Sequence, residues 1–147
     1  EMLWSRLCQL APNQPTAVAA VDIALYDLLG KAAGLPLRQL LGNAKDEIET
    51  TVTLSIEELP TTLARAREFQ AQGLKALKIK CGLNAADDIE RIRQIRQTAG
   101  DQMRLTIDAN QGYSVAECLR VLEAIRECRI EFAEQPVAAT DLEALRE

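Results

Sequence analysis

The chain has 147 residues, of which 48% are hydrophobic, and its 22 acidic against 17 basic residues give a net charge of −5. This composition suits a globular protein with a sizeable core. It argues against nucleic-acid binding, because there is no basic block, and against a membrane span, because no apolar run is long enough.

The cysteine and histidine content limits the redox state and the acid–base and metal-binding groups to be expected in this chain. The four cysteines form no C-x-x-C pair and no secretory signal precedes them, so we expect reduced thiols and a cytoplasmic protein. They are Cys8, Cys81, Cys118 and Cys128. The sequence contains no histidine. Acid–base chemistry and metal binding within this chain therefore fall to Lys, Asp and Glu.

The N-terminal part of the sequence is predicted to be helical. Apolar residues at helical spacing predict a helix over 15–33 with a broad buried face, and a shorter helical piece follows over 37–41. The polar run 43–47 predicts a linker. We therefore place a domain boundary there, with a first domain over 1–46 and a second over 47–147. Since the chain begins without an initiator methionine, we expect it to be part of a longer protein.

From residue 50 onwards, short strand-like segments alternate with helical ones. The predicted strands are 50–54, 76–80, 104–108 and 130–133. Corresponding positions at their ends, Thr53, Lys80, Asp108 and Glu134, recur every 26 to 28 residues or so, roughly the length of one strand, one crossover helix and two short loops. Such regular alternation predicts a parallel sheet.

Helix starts in this second part carry capping signals. Ser or Thr followed three residues later by Glu is a capping box, and a single Asn is also a favoured N-cap. These signals stand at Ser55 with Glu58, at Asn84, at Ser114 with Glu117, and at Thr140 with Glu143. Four strand-to-helix units are therefore expected.

A doubly wound sheet and a β/α barrel both satisfy this alternation. No G-x-G-x-x-G loop follows the first strand, which disfavours a dinucleotide-binding fold. We therefore predict an α/β fold of the TIM-barrel type, with functional groups at the C-terminal strand ends. Four strands make half a barrel, and closure would need roughly a hundred further residues.

Charged residues stand at the ends of three successive predicted strands. Lys78 and Lys80 share one face of the second strand, Asp108 and Asn110 follow the third, and Glu134 follows the fourth. Each motif alone has a simpler explanation: an exposed strand edge, a turn-forming Asp and Asn, or a loop punctuated by proline. Their coincidence at corresponding strand ends favours one shared site.

The residue types suggest a reaction. Two carboxylates from neighbouring strands, Asp108 and Glu134, suit Mg²⁺. A metal and the cationic Lys78 would favour a neutral amine at Lys80, which could then act as a base. Its expected target is a carbon acid next to a carboxylate, whose deprotonation gives an enediolate.

These motifs resemble the enolase superfamily, specifically its mandelate racemase/muconate lactonizing enzyme family. That family's barrel carries K-x-K on the second strand, D-x-N on the third and E-Q-P on the fourth. The resemblance implies a partial (β/α)7β barrel over 47–147, preceded over 1–46 by the C-terminal helical part of an α+β capping domain. Segments 51–55, 77–80 and 107–112 are most similar to L-Ala-D/L-Glu (dipeptide) epimerases.

The resemblance also implies roles. Lys80 would be the acid/base on one face of the substrate and Lys78 its electrostatic modulator. Asp108 and Glu134 would be Mg²⁺ ligands, and Asn110 would contact substrate or support the site. The family's third acidic ligand and its second lysine would come from fifth and sixth strands beyond this chain.

The implied activity is a Mg²⁺-dependent isomerase of the full-length protein, an epimerase acting on a small-molecule carboxylate such as a dipeptide. A homo-oligomer is expected, with no nucleic-acid or membrane partner. Muconate cycloisomerase and o-succinylbenzoate synthase are the alternatives with the same first half-reaction. A different class is a non-catalytic fragment that serves only as a folding or assembly unit. We expect this chain to be inactive by itself.

Overall fold

A computed structural model describes residues 2–146. The chain divides into two compact units, with the division between Ile48 and Glu49. Among the described residues, no helix has both the length and the apolar character needed to cross a membrane. The assignment of the two parts to a capping domain and a barrel half stays a prediction at this point.

The first unit is helical. It contains α1 (Met2–Leu10), α2 (Pro15–Ala33) and α3 (Leu37–Leu40). Pro15 opens α2 in the first turn, where a missing N–H costs nothing because no helical acceptor exists for it. Gly34 ends the helix with a left-handed φ of 64°. The bounds of α2 agree with the sequence pattern.

The broad buried face predicted for α2 is wrong in this structure. Only Val18 and Gly30 of this helix are buried. Ile23 and Leu28 are 66% and 65% exposed, so the other helices of the first unit do not cover them. Helical periodicity reports where apolar residues lie around a helix, whereas burial also requires a partner surface.

The second unit contains one sheet of four parallel strands in the order β1-β2-β3-β4. The strands are β1 (Val52–Leu54), β2 (Ala76–Lys80), β3 (Arg104–Asp108) and β4 (Ile130–Glu134). The predicted parallel α/β arrangement is confirmed. In the register, Lys80 lies opposite Asp108, and Asp108 lies opposite Glu134. The ends of three strands therefore reach the same level.

The crossovers are α4 (Leu59–Ala71), α5 (Ala85–Ala99) and α6 (Val115–Ala124), the last followed by a 3-10 turn over Arg126–Cys128. They pack on one face of the sheet. That core contains fully buried side chains from two strands and α5, namely Leu77, Ile79, Leu105, Ile92 and Ile95. Because strand side chains alternate, residues 78, 80, 106 and 108 face the opposite side.

Two predicted helix starts are confirmed. The Asn84 side chain accepts hydrogen bonds from the backbone N–H groups of Ala86 and Asp87, at 3.0 and 3.4 Å. Ser114 and Glu117 form a complete capping box. Both signals depend only on residues within one turn, which is why the sequence suffices to place them.

Two other predicted starts are wrong. Helix α4 begins at Leu59 with Glu58 as its N-cap, four residues after Ser55, and Pro60 occupies its first turn. Proline is favoured there because its fixed φ suits a helix start. After Thr140 the described residues form turns instead of a helix, and the Asp141 side chain accepts from Ala144 N at 3.0 Å.

Candidate active site

Strand β2 presents the two lysines. Leu77 and Ile79 are fully buried against the helices, so Lys78 and Lys80 project from the other face of the sheet. Their side chains are 22% and 31% exposed. Both ammonium groups are therefore partly withdrawn from water and reach toward the ends of the neighbouring strands.

Asp108 lies at the end of β3 and is almost completely buried. The Nζ atoms of Lys80 and Lys78 lie 2.7 and 2.9 Å from its Oδ2 atom, and Asn110 N donates to its Oδ1 atom at 3.0 Å. Burial raises the pKa of this carboxyl, but the hydrogen bonds from Lys80, Lys78 and Asn110 outweigh that effect and hold the pKa at about 2. Asp108 is thus ionised at neutral pH.

Glu134 ends β4 and completes the cluster. Lys78 Nζ donates to Glu134 Oε2 at 2.6 Å. Two hydrogen bonds raise the pKa of the Lys78 ammonium, the larger effect coming from Glu134 and the smaller from Asp108. Lys78 therefore stays charged and bridges the two carboxylates.

Asn110 faces Lys80. Its Oδ1 atom accepts a hydrogen bond from Lys80 Nζ at 2.7 Å. The structure therefore brings all five candidate residues into one hydrogen-bonded group: Lys78, Lys80, Asp108, Asn110 and Glu134. Their roles in a reaction remain predictions.

The loops around this group adopt unusual backbone conformations. Asn110, Gln111 and Gln135 have φ values of 48°, 67° and 43°, in the left-handed region that residues other than glycine seldom occupy. Gln111 N donates to Gln135 O at 2.7 Å, which ties the loop after β3 to the loop after β4. Such residues are concentrated at functional sites. The sequence analysis assigned no role to Gln111 or Gln135.

The loops after β2 and β3 also touch closely. A Cβ atom on Gly82, whose φ is 101°, would overlap the backbone carbonyl of Ala109, and one on Gly112 would overlap that of Gly82. Only glycine fits at such a backbone contact. This contact fixes how near the ends of β2 and β3 approach each other.

A buried polar network beneath these loops was missed by the sequence analysis. Asp88 of α5 is 1% exposed and accepts hydrogen bonds from Gly82 N, Tyr113 Oη and Arg91 Nη2. A signal was present in the sequence. Asp88 and Arg91 share a helix face with Ile92 and Ile95, and a charged pair on an apolar face predicts a buried interaction.

The acidic residues fit part of a metal site. Lys78 Nζ contacts both Asp108 Oδ2 and Glu134 Oε2, so the two carboxylates converge on one cationic centre. Hard oxygen donors of this kind suit Mg²⁺. Within residues 2–146, no group of three or more Cys, Asp or Glu side chains could hold a metal. That Asp108 and Glu134 are two ligands of a larger set therefore stays a prediction.

Two protein-family models match this chain. Residues 61–147 match the family described as "Enolase C-terminal domain-like". Residues 1–42 match "Mandelate racemase / muconate lactonizing enzyme, N-terminal domain".

Curated relatives include an L-Ala-D/L-Glu epimerase of Clostridium acetobutylicum, 45% identical over 99% of this chain and 41% of its own length. An L-Lys-D/L-Arg epimerase of Desulforapulum autotrophicum is 44% identical over 90% of this chain and 37% of its own length. The chain thus spans about two fifths of the length of these relatives.

Solved structures of related enzymes also match this chain. A dipeptide epimerase from Methylococcus capsulatus, complexed with Mg ion, matches with a TM-score of 0.91 and 39% identity, over 99% of this chain and 42% of that one. The 3,6-anhydro-D-galactonate cycloisomerase from Zobellia galactanivorans matches with a TM-score of 0.92 and 30% identity, over 99% and 43%. Together with the parallel sheet, these matches confirm the predicted fold class, part of an α/β barrel of the TIM type. The chain therefore belongs to the mandelate racemase/muconate lactonizing enzyme family of the enolase superfamily.

Proposed function

We propose that the full-length protein containing this chain is an isomerase, a Mg²⁺-dependent epimerase that removes and returns the proton α to a carboxylate. One observation carries this proposal: side chains from three successive strand ends form a single hydrogen-bonded group that includes the Lys80 amine. Lys80 Nζ lies 2.7 Å from both Asp108 Oδ2 and Asn110 Oδ1. These two hydrogen bonds hold the end of the Lys80 side chain in one position at the open end of its strand, and a defined position is the first requirement for a group that transfers a proton.

Each residue of the candidate site has a separate proposed role. Lys80 takes the α-proton on one face of the substrate, which leaves an enediolate, and Asn110 helps to aim its amine. Lys78 contacts the same Oδ2 atom as Lys80 and competes for the carboxylate that holds the Lys80 ammonium. A second base on the opposite face, needed for epimerisation, would come from outside this chain.

Asp108 and Glu134 are the residues that would hold Mg²⁺. When bound, the ion would compensate the negative charge that develops on the substrate carboxylate. Both side chains already reach a common cation, the Lys78 ammonium, at 2.9 and 2.6 Å. That arrangement supports their assignment as neighbouring ligands.

The proposed substrate is a dipeptide, with L-Ala-D/L-Glu as the first candidate. The names of curated relatives support this class: an L-Ala-D/L-Glu epimerase is 45% identical, and a hydrophobic dipeptide epimerase of Enterococcus faecalis is 41% identical. The L-Lys-D/L-Arg epimerase is 44% identical. These values are nearly equal, so activity must be compared across acidic, basic and apolar dipeptides.

Cycloisomerisation is the second candidate. Two neighbours with 30% identity support it, the anhydrogalactonate cycloisomerase and a muconate lactonizing enzyme with a TM-score of 0.83. Both candidates begin with the same half-reaction, removal of the proton α to a carboxylate. The higher identity to dipeptide epimerases favours epimerisation.

The test is Lys80→Arg in the full-length enzyme. Arginine keeps the positive charge but is too basic to accept a proton near neutral pH. Deuterium incorporation from deuterated water into L-Ala-L-Glu and L-Ala-D-Glu, followed by NMR, should therefore be lost for one isomer and retained for the other. The retained exchange would report the base on the opposite face.

Lys75→Arg is the matched control, since Lys75 is an exposed lysine just before the same strand. It should exchange both isomers at the wild-type rate. Equal, wild-type exchange from both isomers in Lys80→Arg would reject Lys80 as the base. A wild-type enzyme that exchanges no dipeptide of the three classes would reject epimerisation of dipeptides.

A further inference from the structure

Asp88 is the centre of a buried network directly behind the candidate base. Its Oδ2 atom accepts from Gly82 N at 2.8 Å and from Tyr113 Oη at 2.7 Å, while its Oδ1 atom accepts from Arg91 Nη2. Arg91 Nη2 also donates to the backbone oxygen of Lys80 at 3.2 Å. The network therefore reaches the backbone on both sides of Cys81.

The same network joins the loops that carry the site. Gly82 belongs to the loop after β2 and Tyr113 to the loop after β3. Tyr113 N donates to Pro136 O, at 3.3 Å, in the loop after β4. One buried carboxylate thus connects the strand ends that bear Lys80, Asp108 and Glu134.

Asp88 is not needed to start its helix. Asn84 already caps α5, and Asp87 supplies an exposed acidic residue in the same first turn. Burial of a charged pair contributes little net stability compared with apolar packing. The contacts of Asp88 are directed toward the backbone of Lys80 and Gly82. A residue that only stabilised the fold would not need contacts in that direction.

We propose that Asp88 is a positioning residue: through Gly82 N and Arg91 it fixes the backbone at Lys80, and thereby the direction from which the Lys80 amine meets the substrate. This proposal rests on the proposed function, since it assigns Asp88 to the base on one face. A misplacement of about 1 Å can cost on the order of 100-fold in rate. A loosened Lys80 backbone should therefore slow proton transfer on that face alone.

Asp88→Asn in the full-length enzyme tests the proposal. All three partners are donors, so an amide NH2 group would face a donor at one of them, and Arg91 would lose its buried counter-charge. We expect the isomer served by Lys80, identified by Lys80→Arg, to lose on the order of tenfold or more in α-proton exchange. Exchange of the other isomer should change less than about twofold.

Tyr113→Phe is a milder variant that removes one donor and keeps the carboxylate. It should show the same isomer preference with a smaller loss, and it keeps the test valid if Asp88→Asn fails to fold. Asp87→Asn is the matched control, because it removes an acidic group from the same helical turn outside the network. It should exchange both isomers at the wild-type rate.

Amide hydrogen exchange supplies a readout that needs no substrate. In Tyr113→Phe the Gly82 amide should exchange faster than in the wild type, while amides in the centre of α5 keep their protection. Equal losses for both isomers, or no loss, would overturn the positioning role. So would an unchanged Gly82 amide, even if the enzyme exchanges no dipeptide and the proposed function fails.

Discussion

Asp108 is almost completely buried, yet its carboxyl keeps a negative charge because three donors surround it: Lys80 Nζ, Lys78 Nζ and Asn110 N. Its pKa is about 2 because these hydrogen bonds lower the pKa by more than burial raises it. Glu134 is more exposed and shares only Lys78 with it. The two carboxylates differ in environment but reach one cationic centre.

At this scale we predict that Asp108→Asn and Glu134→Gln each weaken Mg²⁺ binding by the full-length protein. Each change removes a charged oxygen donor while keeping the side-chain size. Disturbing an outer-shell partner of a metal weakens metal binding by roughly 10–100-fold. The loss of Mg²⁺ affinity expected here is at least as large, because a direct ligand is changed. Isothermal titration calorimetry measures the affinity directly.

Glu131→Gln is the control, since Glu131 lies on the same strand as Glu134 and is exposed. It removes the same charge and should leave the Mg²⁺ affinity unchanged. Wild-type affinity in both Asp108→Asn and Glu134→Gln would remove these residues from the ligand set.

At the scale of elements, the strands align the site and the loops hold it together. The parallel register places Lys80, Asp108 and Glu134 side by side. The loops after β2 and β3 then meet through backbone atoms at Gly82, Ala109 and Gly112. Helix α5 contributes the charged network behind them.

The loop contact predicts a large cost for Gly82→Ala. An added methyl group would overlap the Ala109 carbonyl, and the φ of 101° is unfavourable for any side chain. Strain of this kind costs about 1–2 kcal/mol, and overpacking adds roughly 1–3 kcal/mol. The free energy of unfolding of the full-length protein, from urea titration, should fall by the sum of both.

Gly73→Ala separates the two effects. Gly73 has a φ of 83°, but nothing lies within 4 Å of where its Cβ would stand. It should therefore cost only the backbone strain of about 1–2 kcal/mol. Equal losses for the two variants would show that the loop contact adjusts without cost.

At the scale of the whole chain, the open sheet is the dominant feature. Strands β1 and β4 stand at the two edges of the sheet. Phe132 on β4 is 55% exposed, and Leu83 beside the site is 80% exposed. Unpaired strand edges next to exposed apolar groups favour pairing with another chain.

We therefore predict that a polypeptide of these 147 residues self-associates in solution. Phe132→Lys should shift it toward the monomer, because a charge on an edge strand opposes edge-to-edge pairing. Size-exclusion chromatography with light scattering measures both states. A monodisperse wild-type monomer that unfolds cooperatively on heating would contradict this prediction.

The sequence by itself determined the parallel α/β fold and the five residues of the candidate site. Both depend on local information: the period of two in a strand places Lys78 and Lys80 on one face, and each charged residue stands at or just beyond a strand end. The caps at Asn84 and Ser114 are local in the same way. The false capping boxes at Ser55 and Thr140 show that a local signal can also be overridden by its surroundings.

Only the tertiary structure decided how those residues meet. The Lys78 bridge between Asp108 and Glu134, the Asp88 network with Tyr113, and the contact at Gly82 join residues more than twenty positions apart. The exposed face of α2 belongs here too, because periodicity places apolar residues without supplying a partner for them. Such contacts depend on which strand ends and loops become neighbours, and that is a property of the folded sheet.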